Sequence, residues 1–101
     1  MGFLSNLFGP KADFNQLINE RQAQVIDVRS PGEFKAGHLK NSKNIPLDSL
    51  KTKVSAISKD RPVVVCCASG TRSGMAKGML KSMGFEVYNG GSWSSLRKYT
   101  R

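Results

Sequence analysis

The sequence PVVVCCASGTRS at residues 62–73 carries the strongest structural signal in this chain. Its first five residues are continuously apolar and rich in β-branched valine, a pattern typical of a strand buried on both faces of a parallel sheet. Small and polar residues around Gly70 then predict a tight loop, and a helix follows from Ser73. Such a loop lies at the carboxyl end of the strand, where open α/β sheets bind ligands. We therefore expect the functional site at this loop.

Strand and helix patterns alternate along the rest of the chain. Before the central strand, the pattern predicts a helix from Asp13 to near Arg21, a strand at 23–28, a helical turn at 33–35, and a helix capped by Asp48 with Leu50, Val54 and Ile57 on one side. After the loop, it predicts a helix at 73–83 that ends at Gly84, a strand at 85–88 and a turn at 89–91. A final helix is predicted with Ser92 as its cap and with Trp93, Leu96 and Tyr99 on it. The methionines of the 73–83 helix share its apolar side and are expected in the core. This order predicts an α/β fold with a central, mainly parallel β-sheet flanked by helices.

The length and composition fit one compact globular domain. The chain has 101 residues, of which 39% are hydrophobic and 23% charged, as in ordinary folded proteins. No apolar run approaches the roughly 20 residues that span a bilayer, and the start lacks the features of a secretory signal. We therefore expect a cytoplasmic protein. The apolar residues at 2–8 are expected to form a short helix packed on the domain, not a membrane contact.

The charge is strongly positive and uneven. The formal net charge is +9, and residues 51–101 carry ten Lys or Arg against two Asp or Glu. Such a field attracts anions. The lysines are dispersed, however, and no nucleic-acid-binding motif accompanies them, so a solvated basic face is expected and a nucleic-acid partner is not.

The two cysteines, Cys66 and Cys67, are adjacent in sequence. Neighbouring cysteines form a strained disulfide at best, and with one histidine, His38, they do not make a zinc-ligand set. This cysteine usage predicts a reducing compartment and no structural metal. No cofactor is implied.

Cys67 is the predicted nucleophile. We expect it to be the first residue of the loop Cys67-Ala68-Ser69-Gly70-Thr71-Arg72, whose backbone N–H groups would form an anion cradle at a helix N-terminus. Such a cradle and the neighbouring Arg72 would lower the pKa of the thiol and favour the thiolate. Cys66 continues the apolar run and is expected to be buried and inert.

A different interpretation starts from Cys66. Five residues separate it from Arg72, which is the spacing of phosphatase loops that hold a phosphoryl group. The matching inner glycine and a preceding histidine are absent, so a phosphatase or arsenate reductase is the weaker alternative.

The motifs together resemble the rhodanese homology family of sulfurtransferases, in particular its small single-domain members. The resemblance extends from about Asp13 to Tyr99, and it predicts an N-terminal extension or short helix at 1–10 and a single rhodanese-like domain at 11–101. The motifs that carry it are, in order, Ile26-Asp27-Val28-Arg29, Ser30-Pro31-Gly32-Glu33-Phe34, Gly37-His38-Leu39, Asn44-Ile45-Pro46, Cys67 to Ser73, and Gly90-Gly91 with Trp93.

The resemblance implies a two-step sulfur transfer through Cys67. The thiolate would take a sulfane sulfur from a small anionic donor such as thiosulfate, become a persulfide, and pass the sulfur to cyanide, a thiol or a protein acceptor. The N–H groups of residues 68–72 would stabilise the persulfide, and Arg72 would orient the loop and the donor. Asp27 and Arg29 are expected to be a paired structural support.

One residue departs from the commonest family pattern. Many members have a basic residue directly after the nucleophile, whereas this chain has Ala68. We therefore expect thiosulfate to be a poor donor. A non-catalytic sulfur carrier or regulatory binding module is the alternative function that this departure favours.

Overall fold

The computed structural model describes residues 12–100, so the prediction for residues 1–10 lies outside the described residues. Four strands form one parallel sheet: β1 (Gln24–Asp27), β2 (Lys43–Asn44), β3 (Val63–Cys67) and β4 (Val87–Ser92). Their order in the sheet is β2-β1-β3-β4. Helices α1 (Pro31–Ala36) and α2 (Thr71–Ser82) and several shorter helical segments surround the sheet. The predicted α/β fold with a central parallel sheet is confirmed.

Strand β3 lies at the centre of the molecule. It pairs with β1 on one edge and with β4 on the other, and all five of its residues are buried. Its side chains alternate between two apolar clusters: Val63, Val65 and Cys67 face a cluster with Ala76 and Leu80 of α2, whereas the intervening residues face the opposite cluster. That second cluster contains Val64, Cys66, Leu17, Leu39 and Leu96. The continuous apolar run is explained by burial on both faces.

The short N-terminal helix begins where predicted but has a different geometry. The Asp13 carboxylate accepts a hydrogen bond of 3.0 Å from the Gln16 N–H, which satisfies one of the free donors of the first turn. The segment Gln16–Glu20 is π-helical. Its Leu17 side chain is buried in the cluster that contains Cys66.

The helix predicted after Asp48 does not form. Two 3₁₀ turns take its place, Leu47–Ser49 and Val54–Ala56, and neither has a side-chain cap. The segment contains several serine, threonine and β-branched residues, which favour local side-chain hydrogen bonds over a continuous helix; the Thr52 hydroxyl, for example, donates to the Ser49 carbonyl at 3.0 Å. The two turns still bury Leu50 and Ile57.

Helix α2 begins and ends at glycines in the left-handed region. Gly70 is its N-cap, with φ 107°, so the helix starts at Thr71, two residues earlier than predicted. Gly84, with φ 92°, follows its end, as predicted, and the Phe85 N–H donates to the Leu80 carbonyl at 3.1 Å.

The methionine prediction for α2 is partly wrong. Met79 and Met83 are partly buried against the core, but Met75 is 58% exposed. The inward face of the helix is narrower than the sequence pattern implied, because Ala76 and Leu80 fill the contact with the sheet.

The predicted turn at 89–91 is wrong, because these residues belong to β4. Only glycine fits at residue 90 without a shift of its neighbours, because a Cβ atom there would lie 2.9 Å from Val64 Cγ1 and 3.0 Å from Leu96 Cδ1. The final helical segment, Trp93–Tyr99, is 3₁₀, and the predicted cap is confirmed because the Ser92 hydroxyl accepts from the Ser95 N–H at 3.3 Å. None of the helices within residues 12–100 has the length and apolar character needed to cross a membrane.

Two glycines with different surroundings test this packing. A Cβ atom on Gly78, in the middle of α2, would meet nothing within 4 Å. We expect Gly78→Ala to raise the free energy of unfolding by about 0.5–1 kcal/mol, since alanine has the higher helix propensity. Gly90→Ala should lower it by about 1–3 kcal/mol through overpacking. Denaturant unfolding of both variants measures the difference, and a stabilised Gly90→Ala protein would contradict the close packing.

Candidate active site

Cys67 is the last residue of β3. The prediction that it is the first residue of the loop is therefore wrong by one position. Its backbone is paired with Ser92 of β4, across an irregularity in the register after Val65. The side chain is buried beneath the loop that leads into α2. The thiol therefore sits at the carboxyl end of the central strand, on a rigid element, with the start of a helix directly above it.

Hydrogen-bond donors converge on the Cys67 sulfur. The Gly70 N–H donates to Sγ at 2.9 Å and the Ser73 N–H at 3.4 Å, while the Ser73 hydroxyl oxygen lies 3.3 Å from Sγ. The left-handed conformation of Gly70 turns the loop back so that its N–H points at the sulfur. Of the N–H groups predicted to form the cradle, at residues 68–72, that of Gly70 donates to Sγ, and the other backbone donor, Ser73, lies one residue beyond the predicted range.

These contacts determine the acidity of the thiol. Burial raises the pKa of Cys67, but the hydrogen bonds from the Ser73 hydroxyl and from the N–H groups of Ser73, Gly70 and Ser69 outweigh it and lower the pKa to about 7. Hydrogen bonding to the charged form is therefore the principal cause of the low pKa. Arg72, to which the sequence pattern assigned part of this effect, donates its hydrogen bonds to Glu33 and interacts with Cys67 only through its charge.

Cys66 is chemically different from its neighbour. It is fully buried in the opposite cluster, and burial, together with the charge of Asp27, raises the pKa of its thiol to about 12. The prediction that Cys66 is buried is confirmed. A protonated thiol on the far face of the strand cannot act as the nucleophile that a phosphatase loop requires.

Arg72 connects the loop to helix α1. Its guanidinium forms two hydrogen bonds to the Glu33 carboxylate, from Nη1 to Oε1 at 2.6 Å and from Nη2 to Oε2 at 2.9 Å. Glu33 also completes a capping box with Ser30 at the start of α1. The bonds from Arg72 and Ser30 lower the pKa of Glu33 to about 2. Arg72 thus links the start of α2 to α1, and its role in orienting the loop and the donor stays a prediction.

Asp27 and Arg29 form a buried ion pair at the end of β1. The Arg29 Nη2 group donates to Asp27 Oδ2 and to the Gly37 carbonyl, both at 2.7 Å. The guanidinium also packs on the ring of Trp93, 4.9 Å from its centre. The pair joins β1, the end of α1 and the last helical segment, which is the arrangement expected of the structural support.

Two residues of the site, Ser73 and Asn89, were not predicted from the sequence. Ser73 lies in the first turn of α2 and is fully buried, and its hydroxyl donates to Asn89 Oδ1 at 2.6 Å. The position of Ser73, six residues after Cys67 and at the start of the predicted helix, was a signal that could have identified it. Asn89 carried no such signal, because it was assigned to a turn.

The described surface has clefts, among them one near α2 and one near the start of β1. One of about 550 Å³ is beside the loop and is lined by residues that include Val28, Pro31, Leu47, Asp48 and Arg72. The other, of about 540 Å³, is lined by the first residues of β1 together with Lys40, Lys43 and Arg61, and contains no cysteine. Neither cleft is lined by a cysteine, and the first one approaches the loop through Arg72 at the start of α2. Within residues 12–100 there is no group of three or more His, Cys, Asp or Glu that could hold a metal ion.

The fold and the site together define a class of protein: a parallel α/β domain that holds an acidic cysteine in a loop of backbone N–H groups at the carboxyl end of its central strand. Comparison with known families agrees with this description. The model of the rhodanese-like domain matches residues 11–96, and the chain belongs to this family.

Relatives in bacteria share much of the domain. The chain is 46% identical over 70 residues to the uncharacterised protein YqhL of Bacillus subtilis, covering 68% of this chain and 56% of YqhL. It is 39% identical over 75 residues to the thiosulfate sulfurtransferase GlpE of Pseudomonas fluorescens, covering 73% of this chain and 69% of GlpE. The family therefore includes sulfurtransferases that are similar to this chain. The match to YqhL spans little more than half of the length of YqhL.

Solved structures have the same fold. The reduced CoADR-RHD protein of Bacillus anthracis matches with a TM-score of 0.76 and 30% identity over 97% of this chain, which corresponds to 18% of that longer chain. A rhodanese with anions from E. coli matches with a TM-score of 0.67 and 36% identity, covering 71% of this chain and 88% of its own.

The ionisation of Cys67 can be measured directly. We expect the ultraviolet absorbance of a thiolate to appear as the pH rises through about 7, because the hydrogen bonds stabilise the charged form. Cys66→Ser should leave this transition in place, whereas Cys67→Ser should remove it. A transition that survives in Cys67→Ser and disappears in Cys66→Ser would mean that Cys66, and not Cys67, is the cysteine that ionises near neutral pH.

Proposed function

We propose that this protein is a sulfurtransferase in which the Cys67 thiolate accepts a sulfane sulfur and passes it to a thiophilic acceptor. The observation that carries the proposal is the convergence of the Gly70 and Ser73 donors on Sγ. These donors stabilise an anionic sulfur in a site with no metal-binding cluster among the described residues. The similarity to proteins named thiosulfate sulfurtransferase supports the same chemistry.

The reaction is a pair of displacements at sulfur. With thiosulfate as donor, Sγ of Cys67 attacks the outer sulfur, a new S–S bond forms, and the S–S bond of the donor breaks with its electron pair leaving on sulfite. The product is a persulfide anion on Cys67. An acceptor such as cyanide then attacks the outer sulfur of the persulfide, and the thiolate returns as thiocyanate leaves. No external oxidant or reductant is required.

The loop would act on the charge of the intermediate. In the persulfide the negative charge moves to the outer sulfur, which extends from Sγ towards the mouth of the loop. Backbone N–H groups at the start of α2 are fixed dipoles that stabilise such a charge without reorganising. Arg72 keeps the loop in place through its two bonds to Glu33.

The proposed partners follow from charge and site chemistry. The net charge of +9 favours a small anionic sulfur donor, and the acceptor is a thiol or a protein. No nucleic-acid partner and no membrane contact by residues 2–8 are part of the proposal. A cytoplasmic location is in keeping with two reduced cysteines.

One observation favours a sulfur carrier as the second candidate. The exposed residue Ala68 carries no charge, and the guanidinium of Arg72 is occupied by Glu33. A doubly charged donor therefore finds no free cation in the loop itself. A persulfide delivered by a partner protein needs no such cation, so a carrier would load well and turn over poorly with thiosulfate.

Intact-mass measurement tests the persulfide. After incubation with thiosulfate, or with an organic persulfide, the protein should gain the mass of one sulfur atom, and cyanide should remove it because it attacks the outer sulfur. The gain should survive in Cys66→Ser and be lost in Cys67→Ser. An unchanged mass with both donors would refute the sulfurtransferase proposal. Loading without appreciable thiocyanate turnover would support the carrier.

A charge at residue 68 tests the donor preference. We expect Ala68→Lys to lower the KM for thiosulfate about twofold to fivefold, the size of effect that an exposed charge pair supplies. Ala68→Gln is the matched control, since it adds similar bulk without charge and should leave KM near that of the parent. The gain should shrink as salt rises. Equal KM values in the two variants would mean that charge beside Cys67 does not limit donor binding.

A further inference from the structure

The orientation of the Asn89 side chain is fixed by three neighbours. Its Oδ1 accepts from the Gly91 N–H at 2.9 Å and from the Ser73 hydroxyl at 2.6 Å. Its Nδ2 donates to the Gly70 carbonyl at 3.2 Å. The opposite orientation would direct the amide hydrogens at an N–H group and the amide oxygen at a carbonyl. Oδ1 of Asn89 is therefore an acceptor facing Ser73.

Ser73 has one hydroxyl proton and two acceptors for it. Its Oγ lies 2.6 Å from Asn89 Oδ1 and 3.3 Å from Cys67 Sγ. When Cys67 is a thiol, both contacts are satisfied together, because the S–H donates to Oγ and the O–H donates to Asn89. When Cys67 is a thiolate, both neighbours are acceptors, and a single hydroxyl proton cannot serve both.

We propose that Asn89 is a positioning residue that competes with Cys67 for the Ser73 hydroxyl proton and thereby opposes ionisation of the nucleophile. Loss of the thiol proton to solvent requires the Ser73 O–H to turn from Asn89 to Sγ, which leaves Oδ1 with the Gly91 N–H alone. The proton stays on Ser73 throughout and only its direction changes.

The same rotation would recur during sulfur transfer, and in this respect the inference rests on the proposed function. In the persulfide, Sγ is no longer charged and is a weak acceptor, so the Ser73 O–H returns to Asn89. When the acceptor removes the outer sulfur, charge returns to Sγ and the hydroxyl turns back. The Ser73 hydroxyl would therefore follow the charge as it moves between the two sulfur atoms.

The two arginines near the loop are held in ion pairs, so they do not take the place of the Ser73 hydroxyl as hydrogen-bond donors to Sγ. Arg72 at the start of α2 pairs with Glu33 of α1, and Arg29 beyond β1 pairs with Asp27. Across the cleft, the turn Leu47–Ser49 contributes Asp48. On β3 itself, the Cys66 thiol has a raised pKa and stays protonated at neutral pH. The residue that β4 places against Ser73 is the neutral amide of Asn89.

Asn89 also acts on the loop through a separate bond. Its Nδ2 holds the carbonyl of Gly70, the residue whose N–H donates to Sγ at 2.9 Å. Loss of the Asn89 side chain would loosen this donor and raise the pKa of Cys67, whereas release of the Ser73 proton would lower it. The two contributions have opposite signs, so a single substitution does not separate them.

A double-mutant cycle separates the two contributions. The pKa of Cys67 is measured from thiolate absorbance in the parent protein, Ser73→Ala, Asn89→Ala and the double variant, each checked for folding by circular dichroism. Ser73→Ala should raise the pKa. Asn89→Ala changes the pKa of Cys67 by one amount when Ser73 is present and by another when Ser73 is alanine. We expect the first change to be more negative than the second by about 0.5 to 1 pH unit. Asn89→Ser, too short to reach Ser73, serves as a second variant if Asn89→Ala fails to fold.

The outcome is decided by comparing the two backgrounds. Equal changes with and without Ser73 would overturn the competition and leave Asn89 only as a support for Gly70. The titration requires no sulfur donor, so it is independent of the mass measurement. A failed persulfide reaction with a clear difference between backgrounds would refute the sulfurtransferase, and a successful reaction without that difference would refute only the competition.

Discussion

Burial of strand β3 on both faces is the constraint on which the rest of the structure depends. A buried strand must find hydrogen-bond partners on both edges, and here β1 and β4 supply them. The pairing extends to Cys67, and Gly70 then turns the chain so that α2 starts at once. The free N–H groups of that first turn are thereby directed at the sulfur. The same pairing places Cys66 and Cys67 on opposite faces and makes their acidities differ.

The site stabilises negative charge mainly with neutral dipoles. The charged side chains closest to the loop are bound to one another, Arg72 to Glu33 and Arg29 to Asp27, and both pairs link separate elements of the fold. The acidity of Cys67 comes instead from hydrogen bonds of the loop and of Ser73. The backbone N–H groups of Gly70 and Ser73 are held by the fold and keep their direction when the sulfur ionises. Attraction of the proposed anionic donor is then left to the overall positive charge.

Local signals predicted much of the fold and failed at identifiable places. The central strand, the helix after the loop, the glycine at its end and the cap at Ser92 were predicted correctly because neighbouring residues determine them. The turn expected at residues 89–91 is a strand because this segment pairs with β3 and Gly90 packs against Val64, which is distant in sequence. The helix expected after Asp48 is two 3₁₀ turns, and Met75 is exposed because smaller side chains fill the contact with the sheet.

The amino-acid sequence by itself determined where the loop lies and that Cys66 is buried in the strand before it, because an apolar run followed by small residues and a helix is a local pattern. The tertiary structure decided what surrounds the sulfur. Asn89 meets Ser73 across 16 residues of sequence, and Glu33 meets Arg72 across 39. Neither contact follows from local propensity, since each requires the sheet to bring its strands, and the helices between them, to one edge. The acidity of Cys67 and the position of its loop are thus properties of the assembled sheet.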